Sequence, residues 1–230
     1  MKFIKYSLSF LCIFISIVLT LIFSFKLAVF YNYQNYFKNQ YKKYEVEDRL
    51  NINMNDIMKV TDKLINYLKN NDDNLLIEVQ INGEMKSFFT EQEIVHMNDV
   101  KNIFLKIDII SYCLIGLLIF IIISLIVYKV DWVNIFPKVY FINFMIFVFL
   151  TIVLIIVINI DFQSFFYQFH KLIFNNNLWL FNYNTSRVIK MFPQEFFFDL
   201  VGKIIFIFLV FLIFYTLFFL RWLAIIKSKK

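Results

Sequence analysis

Four long apolar runs, separated by stretches of mixed character, set the plan of this chain. Residues 7–30, 107–128, 139–160 and 200–222 are almost continuously hydrophobic, and each exceeds the roughly 20 residues that carry an α-helix across a bilayer. Hydrocarbon offers no water to the backbone, so each run must satisfy its own amides as a helix. After the first and third runs the pattern breaks into shorter periods with frequent charges.

Those shorter periods predict further elements. From Asn55 to Leu68, the residues Ile57, Met58, Val60, Leu64, Ile65 and Leu68 recur at spacings near three and four. That spacing predicts an amphipathic helix, ended by Asn70-Asn71-Asp72-Asp73. Leu75 to Ile81 and Glu84 to Phe89 flank Asn82-Gly83, a strong hairpin signal because both central residues of the tight turn take positive φ. An isolated hairpin is marginal in water, so it must lean on lipid headgroups or on the second mixed stretch. Thr90-Glu91-Gln92-Glu93 reads as a capping box, in which Thr90 accepts from the amide three residues on and Glu93 reaches back. The helix it starts runs past His96 and Lys101 into the second span.

Charge then orients the chain. Lys2 and Lys5 precede the first run, Lys129 and Lys138 bracket the turn between the second and third, and Arg221, Lys227, Lys229 and Lys230 follow the fourth. Short basic flanks mark the cytoplasmic side, so all three predict cytoplasmic termini and an inward turn. The stretch from Tyr31 to Leu105 has nine basic and twelve acidic residues, and 161–199 has three of each, as befits an outward location. The expected fold is therefore a mainly α membrane protein, with four transmembrane helices and an extracytoplasmic α+β cap containing the β-hairpin. In order, the segments are residues 1–30 (inner tip and first span), 31–105 (outer segment), 106–128 (second span), 129–138 (cytoplasmic turn), 139–160 (third span), 161–199 (aromatic-rich outer segment) and 200–230 (fourth span and basic tail).

Composition narrows the classes. With 60% hydrophobic and 21% aromatic residues, the runs are too long for a soluble core. The net charge of +6 reports topology rather than a nucleic-acid surface. The first run is too long for a signal peptide and lacks a small-x-small site, so it reads as an uncleaved anchor. Cys12 is preceded by Ser9-Phe10-Leu11 rather than the small residues of a lipoprotein processing site. Cys12 and Cys113 lie at different depths, against a disulfide. No Cys/His cluster exists, so no metal and no cofactor are expected. Few ionisable groups lie near span centres, against a transporter; Lys26, Asp108 and Lys203 all sit near outer ends.

The candidate chemistry lies in two histidines, His96 and His170, both outside the spans and on the same predicted face. Asp99 stands three residues after His96, on the same helical face, where a carboxylate can fix an imidazole's tautomer. Taken alone, such a pair is more often ordinary helix surface. His170 sits in Phe165-Phe166-Tyr167-Gln168-Phe169-His170, followed by Phe174, Asn176 and Trp179, a density that an interfacial aromatic belt also explains. Thr185, Ser186, Arg187, Lys190 and Pro193 then set polar and cationic groups at headgroup depth, a mixture suited to a lipid-like ester.

His96-Met97-Asn98-Asp99-Val100-Lys101, entering a span, resembles the His-Met-x-Asp-Val-Lys element of the bacterial lipoprotein intramolecular transacylases. Phe169-His170 through Phe174, Asn176 and Trp179, then Ile189 and Pro193 to Phe197, resembles that family's second exterior element. The similarity extends over nearly the whole chain. It departs at Asn177 and Ser186, where the family pattern has acids, and at Tyr183, near a family proline. The resemblance implies functional positions at His96, Asp99, His170, Asn176 and Trp179; Arg187 and Lys190 are added on charge.

The implied reaction moves the sn-2 acyl chain of a diacylglyceryl-cysteine to that cysteine's α-amino group, giving a lyso-form lipoprotein. Diacylated lipoproteins and membrane lipid are the implied partners in the bacterial cell membrane, and nucleic acid and metal are not. The substrate supplies its own nucleophile, which agrees with the absence of a GxSxG motif. Two histidines can divide the proton work, with His96 oriented by Asp99 as base and His170 as acid, or the reverse. Asn176, a backbone amide or Trp179 are candidate oxyanion donors. The rival reading is a non-enzymatic accessory or envelope-stress protein whose cap binds a partner.

Overall fold

The computed structural model describes residues 2–81 and 83–228 and resolves them into two compact units, one of residues 2–28, 108–160 and 202–228, the other of 29–81, 83–107 and 161–201. Asn82, one residue of the predicted turn, lies outside the described residues, as do Lys229 and Lys230 of the basic tail.

The first unit is built from four apolar helices: α1 (Lys2–Phe30), the part of α5 (Glu91–Val127) from Asp108 on, α6 (Trp132–Ile160), and the part of α9 (Gln194–Ser228) from Gly202 on. All four are long and apolar enough to cross a membrane, and each covers one of the predicted spans, α5 ending at Val127, one residue short of the predicted 107–128. Ile17, Ile121, Leu125, Tyr140 and Leu212 form the centre of their core, while Ile119, Phe120, Phe149, Phe206 and Phe214 stay exposed, as lipid-facing side chains do. Without a hydrophobic drive between helices in lipid, close packing and polar contacts hold such a bundle together. Tyr140 donates to the Leu212 carbonyl at 3.1 Å and contacts Thr216 at 2.7 Å, and Thr20 meets Tyr215 at 3.0 Å. Lys26 is ion-paired with Asp108, and Lys203 donates to the Ala28 carbonyl at 2.8 Å, so the charges near the span ends have partners.

The second unit contains α2 (Tyr33–Lys43), α3 (Val46–Leu50), α4 (Met54–Leu68), β1 (Glu78–Ile81), β2 (Glu84–Ser87), the start of α5, α7 (Phe162–Ile173), α8 (Val188–Met191) and the start of α9. The predicted amphipathic helix is α4, capped by Asn53, whose side chain accepts from the Asp56 amide. Its apolar stripe is buried through Ile57, Val60, Leu64 and Leu68. The hairpin forms with Ile81 opposite Glu84 and Gly83 at φ +85°, a conformation that an L side chain resists. Its support is protein: Val79 and Ile81 are buried, and Arg187 donates to the Ser87 and Phe88 carbonyls at 3.0 and 2.9 Å.

Four helices of this unit had no counterpart in the sequence pattern. In α2 only Phe37 and Tyr41 are buried, one turn apart, too few to register as periodicity. In α7 no residue is buried, so its aromatics read as a belt instead. A local signal existed, since Asp161 accepts from the Ser164 amide at 2.9 Å as an N-cap. The other two, α3 and α8, are five and four residues long.

Candidate active site

The capping box fixes where His96 projects. The Thr90 amide donates to Glu93 Oε2 at 2.8 Å, and the Glu93 amide donates to Thr90 Oγ1 at 3.3 Å, starting α5 at Glu91. His96 lies eleven residues before the apolar span begins at 107, in the second unit. His170 is on the last turn of α7, where its Nδ1 is 2.7 Å from the Phe166 carbonyl one turn back. A carbonyl only accepts, so Nδ1 carries the hydrogen and Nε2 the lone pair.

The two imidazoles are 6.2 Å apart, centroid to centroid, and inclined by 30°. Both line one cavity of about 500 Å³ that Gln163, Gln168, Phe181, Val188 and Phe192 also border. Phe174 packs on both rings, at 4.9 Å from His96 and 5.6 Å from His170. Phe181 meets His96 edge-on at 5.3 Å, and Trp179 lies 5.1 Å from His170. An aromatic shell of this kind disfavours charge. Burial, helped by the neighbouring His170 and opposed by Asp99, pushes the His96 pKa down to about 4. Burial also lowers His170, opposed by its bond to Phe166. Two neutral histidines therefore face the cavity at pH 7. Nδ1 of His96 is buried and has no hydrogen-bond partner among the described residues.

The other sequence candidates are placed around this pair. Asp99 Oδ2 accepts from Asn176 Nδ2 at 2.8 Å, joining α5 to the segment that follows α7. Asn176 Oδ1 accepts from the Leu178 amide at 3.0 Å, and the Trp179 indole N–H donates to the Asn176 carbonyl at 2.9 Å. Trp179 thus packs on His170 with its only polar hydrogen already engaged. Arg187 is tied to the end of β2, and Lys190 sits 5.5 Å over the Tyr183 ring; neither borders the cavity. No cluster of three metal-ligating side chains occurs among the described residues.

Four contributors had weaker signals in the sequence. Gln92 donates to the Leu178 and Leu180 carbonyls at 3.0 and 3.3 Å, holding the strap that carries Trp179 and Phe181. Phe174 and Phe181 shape the shell; Phe174 lies within the segment that resembles the family's second exterior element, whereas Phe181 has no motif to mark it. Glu93 was legible as a cap, but its second set of bonds, to Ser186 and Val188, was not.

Over residues 10–197 the chain matches the family model described as lipoprotein intramolecular transacylase Lit. Its fold is similar to the in meso structure of the membrane integral lipoprotein intramolecular transacylase Lit from Bacillus cereus, with a TM-score of 0.77 at 23% identity over 100% of both chains. Two single-histidine variants of that protein, to alanine and to arginine, give TM-scores of 0.74 and 0.75 at 21% and 20% identity, over 100% of this chain and 97% and 96% of theirs. No curated protein matches the sequence.

Proposed function

The chain belongs to the lipoprotein intramolecular transacylase family, and from that premise we propose a mechanism in which its paired cap histidines move one acyl chain within a lipoprotein. The protein is a multi-pass membrane acyltransferase. Its substrate is a diacylglyceryl-cysteine at a lipoprotein N-terminus, and its product is the N-acylated lyso form. The basic flanks support cytoplasmic termini and an outward-facing cap, the side on which lipidated N-termini are displayed in a bacterial cell membrane.

In the reaction the α-amino nitrogen attacks the sn-2 ester carbonyl. A C–N bond forms, the bond from carbonyl carbon to glyceryl oxygen breaks, and one proton passes from nitrogen to that oxygen. His170 carries this proton. Its Nδ1–H is engaged by the Phe166 carbonyl, so Nε2 is the base, which reverses the assignment favoured from sequence. The free amine's conjugate acid has a pKa near 8, but its N–H hydrogens become far more acidic as the C–N bond forms. A base lowered by burial is then sufficient, and its imidazolium returns the proton to the leaving oxygen. His96, neutral and bordering the cavity, offers a ring hydrogen bond to the tetrahedral oxyanion. A neutral imidazole is suited to that role because it donates without first surrendering a proton to solvent.

Asp99 and Asn176 act together as a clamp on the strap, and Trp179 fixes the His170 ring. Arg187 anchors the hairpin. Lys190, beside Tyr183, supplies positive charge away from the reacting atoms. The two imidazoles 6.2 Å apart on one cavity carry this reading. Its test is mass spectrometry of lipoproteins from a host lacking lyso-form activity, expressing the wild type, His96→Ala or His170→Ala. Wild type should yield the lyso form, and each variant should lose about 10²-fold or more of the conversion rate. Undiminished product from either variant would remove that histidine from the mechanism.

A further inference from the structure

Glu93 has no exposed surface, yet capping α5 occupies only Oε2 of its carboxyl group. The other oxygen reaches across the cap. Oε1 accepts from the Ser186 hydroxyl at 2.6 Å and from the Val188 amide at 2.9 Å. Ser186 Oγ in turn accepts from the Ile189 amide at 3.3 Å. One carboxyl group therefore organises the turn that begins α8. Val188 and Ile189 of that turn, with Phe192 just beyond it, border the cavity that holds both imidazoles. Glu93 stands one helical turn before His96, so a single rigid segment fixes both the histidine and the wall sharing its cavity.

We propose that Glu93 is a positioning residue for acyl transfer, setting the Val188–Ile189–Phe192 wall so that ester and amine meet in reactive register. It touches neither substrate nor reacting atoms. The role requires a side chain that accepts on both oxygens, because three donors converge on it: the Thr90 amide, the Ser186 hydroxyl and the Val188 amide. Glutamine has the same length but must turn its NH₂ toward one side. With its oxygen toward Ser186 and Val188, its NH₂ meets the Thr90 N–H, donor against donor. Alanine loses all three bonds. Misplacing the wall by even about 1 Å costs orientation in the transition state, which can reduce rate by up to about 10². Binding rests largely on the acyl chains and changes little. The effect belongs in kcat rather than KM.

The proposal rests on the cavity being the transfer site, and the test separates the two. The full-length chain, in lipid nanodiscs, is assayed with a synthetic diacylglyceryl-cysteine peptide as wild type, Glu93→Gln, Glu93→Ala and Ser186→Ala. Rates are expressed per folded molecule and followed from pH 5 to 9. Glu93→Ala should lower kcat by about 30-fold, with KM within about threefold of wild type. Glu93→Gln and Ser186→Ala should each lose about three- to tenfold, and the acid limb of the kcat profile should stay in place. Unchanged kcat in Glu93→Ala would overturn the proposal. If that variant does not fold, unchanged kcat in both Glu93→Gln and Ser186→Ala overturns it. A displaced acid limb also overturns it, since Glu93 would then take part in proton transfer. No transfer by the wild type would refute the functional reading itself.

Discussion

Acid should destabilise the second unit through His96 in a calculable way. His96 is 5% exposed, and burial among Phe174, Phe181 and His170 lowers its pKa from 6.5 to about 4. An unfolded chain therefore takes up this proton near pH 6.5, and the folded chain resists it until about pH 4. The sign follows directly: the stability is complete above pH 6.5 and is lost as pH falls through the window down to about 4. Each unit within that window costs about 1.4 kcal/mol, so near pH 5 the loss from His96 alone is about 2 kcal/mol, approaching about 3 below pH 4. His170 is shifted in the same direction and adds to the trend, whereas Asp99 opposes it at His96. The assay is equilibrium unfolding in mixed detergent micelles at pH 7.5 and pH 5, comparing wild type with His96→Gln. Glutamine does not titrate, and any constant cost of the substitution cancels when each variant is compared with itself across pH. Wild type should lose about 2 kcal/mol more than His96→Gln. Equal losses would refute the account of a neutral, desolvated imidazole.

Two further outcomes follow from the packing. Trp179→Leu removes the ring 5.1 Å from His170. It should slow lyso-form production roughly two- to tenfold in the lipopeptide assay, the range of an aromatic contact worth about 0.5–1.5 kcal/mol. Asp108→Leu leaves Lys26 without its ion-pair partner in the membrane unit. It should cost about 1–2 kcal/mol in unfolding, the larger buried-pair penalty being discounted because both side chains are about a third exposed, and Lys26→Leu in the same chain should restore most of that loss.

How far the sequence revealed this protein depended on whether the decisive contacts were local. The spans were legible because lipid demands about twenty apolar residues in succession. The capping box was legible because its bonds join Thr90 and Glu93, three residues apart. Helix α4 was legible because seven of its residues are buried on one stripe. In contrast, α7 buries none, so periodicity had nothing to report beyond aromatic density. Asp99 shows the same limit within the site. Three residues from His96, its local reading was that of an orienting acid. Its hydrogen bond instead goes to Asn176, 77 positions away, and no spacing rule contains that information. Arg187 and Lys190 stand out in the sequence by charge, but charge alone does not say which surface a side chain faces. Arg187 is turned to the hairpin carbonyls.

The topology could place both histidines on one side of the membrane, because two spans and a turn lie between them. It could not place them 6.2 Å apart; that distance depends on Phe174 packing against both rings. The same packing answers a chemical demand. Water can attack the ester as well as the amine can, and a hydrated pair of imidazoles would assist either. Burial in an aromatic shell keeps the rings neutral, while in the proposed reaction the amine arrives covalently tethered to its own ester at high effective concentration. An enzyme with its own nucleophile must activate that side chain; here the nucleophile comes with the substrate. On the proposed mechanism, the protein can therefore accept the lowered basicity that comes with burial, because the tethered amine meets its ester at high effective concentration.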